Sequence, residues 1–218
     1  MQNIQAHRLA SARPLLVLKI IKGLLNQHPQ RLTGLTFSSP YQLLVATVLS
    51  AQCNDSRVNS VTKTLFEDAP DPHALAAIPR THLESLIRVT GLHRRKAGLL
   101  IKMAKMIVKR FNGKVPKTVD QLIELPGVGR KTANVVLAQA YETPAFPVDR
   151  HVARVASRLN LVISKRPVEI EKEITNLLPK HQWIQASDSL IQHGRKVCRP
   201  LPICDRCCVK VFCPYPLP

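Results

Sequence analysis

Lys131 and Asp149 are the residues whose types and spacing could carry covalent chemistry. Lys131 follows Leu125-Pro126-Gly127-Val128-Gly129-Arg130, a stretch that reads as the bend of a helical hairpin opening into a new helix. Pro126 stops the helix expected over 119–125, and Gly127 and Gly129 are read as supplying the backbone angles that a short bend needs. The next helix, expected over 131–141, puts Ala133, Val136, Leu137 and Ala140 on one face. A glycine bend that opens a helix leaves backbone N–H groups unpaired, and with the helix dipole they form a site for a phosphate. Lys131 falls in the first turn, near the positive end of the dipole and beside Arg130, and both disfavour its protonated form. A lysine with a lowered pKa is a nucleophile able to form a Schiff base with a carbonyl carbon or a sugar C1′. A surface lysine that touches phosphate is the plainer reading.

Asp149 adds a second group. The helical stretch from Lys131 to Thr143 rises about 20 Å, and the loop from Pro144 to Asp149, with two prolines favouring extension, spans about 20 Å. The lengths therefore allow Asp149 to return beside Lys131. Asp149 also stands at the start of the next helix, where a plain N-cap is the alternative role, and the two roles are compatible. A lysine with a returning carboxylate suits the opening of a sugar–base bond. The amine attacks C1′, and the carboxylate moves protons and stabilises an oxocarbenium.

The run from Leu125 to Asn134, followed by Val148-Asp149-Arg150-His151-Val152, closely resembles the helix-hairpin-helix DNA glycosylases, and within that superfamily the endonuclease III family. The resemblance extends from about residue 15 to the last cysteine. It implies that Lys131 is the Schiff-base nucleophile and Asp149 its essential partner. It implies further that Gln52, after Ser50-Ala51, fills the gap left by a flipped base, and that Leu92 of the Gly91-Leu92 bend wedges beside it. Without the resemblance, Gln52 reads as a helix C-cap and Leu92 as core. Extruding a base costs a few kcal/mol of stacking and pairing, which a polar plug and an apolar wedge offset. Arg150 stands where many members carry threonine.

Composition points to the same class of partner. With 218 residues, 45% of them hydrophobic, and a formal charge of +18, the chain is a folded basic protein of one or two domains. Such a charge favours a polyanion or an anionic membrane surface. The first acidic residue is Asp55, and none occurs between Glu84 and Asp120. That acid-free span holds Arg94, Arg95, Lys96, Lys102, Lys105, Lys109 and Arg110 on an expected amphipathic helix over 94–112, with Leu100, Met103, Ala104 and Ile107 inward. Without interspersed acids, backbone-phosphate binding is the better reading of this run than a solvated face. No apolar run is long enough to cross a membrane and no signal peptide is evident, so the expected setting is the cytoplasm, at the nucleoid.

Five of the six cysteines crowd the C-terminus. Cys198-x5-Cys204-x2-Cys207-x5-Cys213 has spacing compatible with four thiolates on one metal centre, and a disulfide framework confined to so short a segment is unusual. Zinc is the default for a four-cysteine knot. The family pattern is Cys-x6-Cys-x2-Cys-x5-Cys around a [4Fe–4S] cluster, preceded by His-Gly-Arg as at His193-Gly194-Arg195. This chain is one residue short in the first gap and carries an extra Cys208, which is a substitute ligand or a free thiol. Arg199, Arg206 and Lys210 put positive charge on the loops between the ligands.

No segment alternates as a strand does, and the fold class expected is all-α. Helices are expected from Pro14 to Asn26 with Leu16, Ile20, Ile21 and Leu24 inward, from Pro40 to Gln52, and from Ser56 to Phe66 capped by Asp55. Short ones follow at 72–78 and 81–89, and later ones at 150–160, 168–178 and 184–194. The resemblance implies two helical lobes with a cleft between them. One is a six-helix barrel lobe with the helix-hairpin-helix, residues 33–143. The other is a cluster-bearing lobe of residues 1–32 and 144–218, with the cluster loop at 198–213.

The implied activity is that of a bifunctional glycosylase and AP lyase on oxidised pyrimidines in damaged double-stranded DNA, acting as a monomer without a diffusible cofactor. Leu125, Gly127, Val128, Gly129 and Arg130 are the implied hairpin contacts to DNA, with a monovalent cation there as in relatives. A monofunctional mismatch glycosylase is the alternative within the superfamily, but such enzymes usually lack the lysine. A noncatalytic DNA-binding module is the alternative outside it, and would leave no covalent adduct to trap. A ferredoxin-like redox protein fits neither the charge distribution nor the long helical body.

Overall fold

The computed structural model describes residues 2–29 and 34–215, with residues 2–13 as backbone only. Among the described residues there are helices and no strands. In chain order the α-helices are α1 (Gln2–Gln27), α2 (Pro40–Leu49), α3 (Asp55–Asp68), α4 (Pro72–Ala77), α5 (Arg80–Leu86), α6 (His93–Phe111), α7 (Val119–Ile123), α8 (Arg130–Ala140), α9 (Arg150–Arg158), α10 (Pro167–Thr175) and α11 (Trp183–Lys196). None is long and apolar enough to cross a membrane.

The chain divides into two compact units, one running through α2–α8 to Thr143 and the other combining α1 with everything from Pro144 onward. The lobe boundary expected at residues 32 and 33 lies outside the described residues.

In the first unit α2 is the core helix. Leu43, Leu44, Val45, Ala46 and Leu49 are fully buried, which explains why its sequence is apolar all round rather than striped. Ser39 caps it, accepting the Gln42 N–H, and Pro40 occupies the first turn where its missing N–H costs nothing. The helix stops at Leu49, three residues short of the expected Gln52. Asn54, not Asp55, caps α3 by accepting the Arg57 N–H, and Asp55 lies in the first turn. Either residue type can cap, so the two were indistinguishable by type. Helix α6 packs Leu100, Met103, Ala104 and Ile107 into the core as expected, and it runs against α4 and α5.

The second unit is built on α9 and α11, which pack closely together, with α1 against α11 and α10 against α9. Phe146, Ile20, Ile21, Leu24, Val152 and Leu190 belong to one apolar cluster that fills it. Helix α1 begins well before Pro14 and carries that proline internally. Leu16 is exposed and Val17 buried, a correction of one position to the expected inward face.

Candidate active site and cysteine pocket

The helical hairpin forms as read. Helix α7 ends at Ile123, Val128 N–H bonds to the Leu125 carbonyl at 3.0 Å across the bend, and α8 starts at Arg130. Only one of the two glycines needs its special freedom. Gly127 has φ +83, whereas Gly129 has extended backbone at φ −93 and ψ 172, which any residue adopts. A Cβ at 129 would meet nothing within 4 Å, so neither backbone angle nor packing among the described residues requires glycine there. Gly129 also occupies the N-cap of α8 without a capping side chain, so the first-turn amides face outward for an anion. Leu125 and Val128 bury their side chains, leaving only their backbone for a DNA strand. Lys131 is exposed in the first turn, with no hydrogen-bonding or ionic partner among the described residues of its unit.

Asp149 caps α9. Its Oδ1 accepts the backbone N–H groups of His151 at 2.7 Å and Val152 at 2.8 Å. Oδ2 has no partner among the described residues of its unit. The cap thus occupies one oxygen of this half-buried carboxylate and leaves the other.

Gln52 and Leu92 share an unusual backbone. Both are non-glycine residues in the left-handed region, at φ 56 and φ 51, and both are exposed, Leu92 at 54%. Gln52 is not the helix C-cap, and Leu92 not the core residue, that the plainer reading gave. Arg94, Arg95, Lys102, Lys105 and Lys109 are exposed along α6. Two members of the basic span are corrections. Lys96 is buried and bonded to carbonyls, and Arg110 pairs with Glu124 at 2.6 Å.

The four spaced cysteines, Cys198, Cys204, Cys207 and Cys213, line one cavity of about 180 Å³, shared with Arg158, His193 and Lys210. Cys208 does not line it. That residue is exposed, and its Sγ contacts the Gly23 carbonyl at 3.3 Å. Burial pushes the Cys207 thiol up to about 11, with neighbouring cysteines adding to the shift against one backbone hydrogen bond. His193 Nε2 lies 3.5 Å from Cys207 Sγ, and its Nδ1 is 3.2 Å from His28 Nε2. Burial, then the His28 charge, lowers His193 to about 4, so the pair is neutral at pH 7. From α9, Arg154 donates to the Cys198 carbonyl at 3.0 Å, and Arg158 to the Arg199 and Pro200 carbonyls at 2.6 and 2.9 Å. Lys210, one of the positive charges on these loops, is paired with Asp205 at 2.9 Å.

Residues 45–180 match the model of the HhH-GPD superfamily base excision DNA repair protein. The chain is 44% identical to an endonuclease III of a Synechocystis strain over 200 residues, covering 91% of this chain and 90% of the relative. The Bacillus subtilis endonuclease III is also 44% identical, over 86% of this chain and 87% of its own. The chain belongs to the endonuclease III family. Its fold superimposes on a trapped endonuclease III–DNA covalent intermediate with a TM-score of 0.87 and 39% identity, covering 92% and 95% of the two chains. As a member of the endonuclease III family it is a DNA glycosylase and AP lyase of base excision repair.

Seen as an endonuclease III-family protein, the chain has polar features that its sequence concealed. The Arg154 and Arg158 clamp lies one helical turn apart on α9, a signal visible only once the partner loop is known. Lys96 was hidden inside a run of like residues. The donor chemistry of the cysteine cavity can be tested directly. Four cysteine side chains around one cavity form a donor set that fits an iron–sulfur cluster, and equally a zinc ion. As thiolates, buried there, they also require a positive centre.

Proposed function

We propose that the enzyme removes oxidised pyrimidines from duplex DNA and then nicks the strand, with Lys131 as nucleophile and Asp149 as proton-transfer partner. The observation that carries this reading is the exposed Lys131 amine, without a partner among the described residues of its unit, in the first turn of a helix with no capping side chain. The unprotonated amine attacks C1′ of the flipped nucleotide, the new C–N bond replacing the sugar–base bond, and the base leaves with a proton. Opening of the sugar gives a Schiff base, which acidifies C2′. Loss of a C2′ proton then expels the 3′ phosphate by β-elimination. Asp149 Oδ2 is the oxygen left for these proton transfers, because Oδ1 is held by two amides. The negative carboxylate also favours the oxocarbenium-like state that precedes full bonding.

Gln52 and Leu92 fill the space vacated by the flipped base. The amides of Gly127 and Gly129 receive a phosphate, with a monovalent cation at the bend, and the exposed bases of α6 take further phosphates. Cys198, Cys204, Cys207 and Cys213 hold a [4Fe–4S] cluster, which ties the C-terminal loop into a fixed shape. Arg199 and Arg206 remain exposed on that loop for DNA. The enzyme acts as a monomer at the nucleoid.

Borohydride trapping on a duplex carrying one oxidised thymine tests the chemistry. Wild type is expected to form a covalent adduct, Lys131→Ala none, and Asp149→Asn far less. Binding without trapping, on that lesion or on an abasic site, would sink the reading.

A further inference from the structure

Lys96 lies within the basic span of α6 yet is only 4% exposed. A buried ammonium needs acceptors around it. Here both are main-chain carbonyls, with no carboxylate. Nζ donates to the Leu49 carbonyl at 2.8 Å and to the Thr90 carbonyl at 2.8 Å. Burial lowers the Lys96 pKa, and the neighbouring Cys53 works against that shift.

These carbonyls belong to two different segments. Leu49 ends α2, and Gln52 follows one short turn later. Thr90 closes the 3₁₀ turn Arg88–Thr90, which leads through Gly91 to Leu92. The backbone N–H of Lys96 itself donates to the Leu92 carbonyl at 2.9 Å. One residue therefore grips the Leu92 turn from both sides and fastens it to the end of α2.

The residues so fastened, Gln52 and Leu92, are two of the five exposed non-glycine residues with left-handed backbone among the described residues. That conformation is unfavourable for a non-glycine residue and persists only where the surroundings impose it. Two strained segments joined through one ammonium move together or not at all.

We propose that Lys96 is a positioning residue, a buried strut that sets the separation of Gln52 and Leu92 so that plug and wedge enter the duplex as a single unit. This rests on the reading of those two residues as inserting ones. The strut touches neither DNA nor the reacting atoms. It acts on the opening of the base pair and not on the Schiff-base step.

The test separates those two steps. Insertion is read from 2-aminopurine fluorescence, with the probe opposite a tetrahydrofuran abasic analogue in duplex DNA. Chemistry is read from borohydride trapping at an abasic site in a single strand, where no orphan base is displaced. Lys96→Met keeps the stem volume and removes the ammonium, and Lys96→Gln serves as a second, polar replacement. Wild type is expected to raise the fluorescence on binding. Both variants should lose at least fivefold of that rise, as Leu92→Ala should, while single-strand trapping stays within twofold of wild type. A full rise in both variants would overturn the strut. Parallel loss of fluorescence and trapping in both would make Lys96 an ordinary core residue and would also overturn it. If wild type itself gave no rise, the insertion reading of Gln52 and Leu92 would fall, and the strut with it.

Discussion

Asp149 Oδ1 accepts the backbone N–H of Val152 at 2.8 Å, which makes the proposed catalytic carboxylate the N-cap of α9 as well. Substitution can separate the two duties. Asparagine caps a helix about as well as aspartate, whereas alanine loses about 1 kcal/mol. Asp149→Asn should therefore unfold at the wild-type urea midpoint while losing about 10²–10⁴ in turnover, the usual worth of a positioned acid or base. Asp149→Ala should lose activity and about 1 kcal/mol together. An active asparagine variant would leave the carboxylate with a structural role only.

Gly194 of α11 marks where α9 and α11 touch. A Cβ there would sit 2.8 Å from His151 Cβ and 3.3 Å from His151 Cα. Glycine to alanine inside a helix ordinarily gains about 1 kcal/mol, but overpacking costs about 1–3 kcal/mol, and here the neighbour is close to rigid backbone. Gly194→Ala should lower the melting temperature. It should reduce turnover further still, since His151 lies two residues from Asp149. A raised melting temperature would show that the helices part without cost.

Much of this was legible because certain residues admit few uses. Pro126 followed by Gly127 marks a helix stop and a positive φ, and the four spaced cysteines line one cavity. What the sequence hid depends on partners distant along the chain. Lys96 is chemically identical to Lys102 and differs only in facing Leu49 and Thr90. Gly194 reads as a weak helix position until His151 is seen against it. Gly129 reads as a bend glycine, yet its backbone is extended and the space around it open, so the fold itself does not demand glycine there. Leu16 was misplaced because the helix starts twelve residues before Pro14, which removes that proline as a marker of phase.

Tyr41 gives a pH signature. Its buried hydroxyl donates to the Ala69 carbonyl at 3.0 Å, and burial, with the charge of Asp71 second, raises its pKa well above the ordinary 10. Below pH 10 both folded and unfolded chains hold the proton. As the pH rises through 10 the unfolded chain sheds it first, and the stabilisation is lost by up to about 1.4 kcal/mol per pH unit. Tyr41→Phe should cost about 1 kcal/mol at pH 7 for the lost hydrogen bond. Urea unfolding at pH 7, 10 and 11 should show that deficit closing as the pH rises. A constant deficit would mean that Tyr41 ionises freely in the folded protein.

Arg158 holds the shortened cysteine gap. It donates to the Arg199 and Pro200 carbonyls, approaches Cys198 Sγ at 3.5 Å and stacks over Tyr215 at 4.4 Å. A lysine keeps the charge but cannot form the same planar fork and stack. Arg158→Lys should purify with the visible absorption of an iron–sulfur protein yet bleach several-fold faster in air. Equal bleaching rates would assign the stability of the loop to its cysteines alone.

The two hairpin glycines make opposite predictions. Gly127→Ala forces a Cβ into a left-handed position, about 1–2 kcal/mol, and brings it to 3.3 Å from Leu99 Cβ, tighter than ordinary contact. It should destabilise the fold. Gly129→Ala enters extended backbone with nothing within 4 Å, so stability should change by only about 0.5 kcal/mol. The added methyl nevertheless stands beside the uncapped amides of α8, in the path of a phosphate bound there. DNA affinity should fall about tenfold, or about 1.4 kcal/mol, measured by anisotropy on an abasic-analogue duplex. Wild-type affinity in Gly129→Ala would mean that the strand does not approach the α8 amides, and the phosphate contact would have to be sought along the exposed bases of α6.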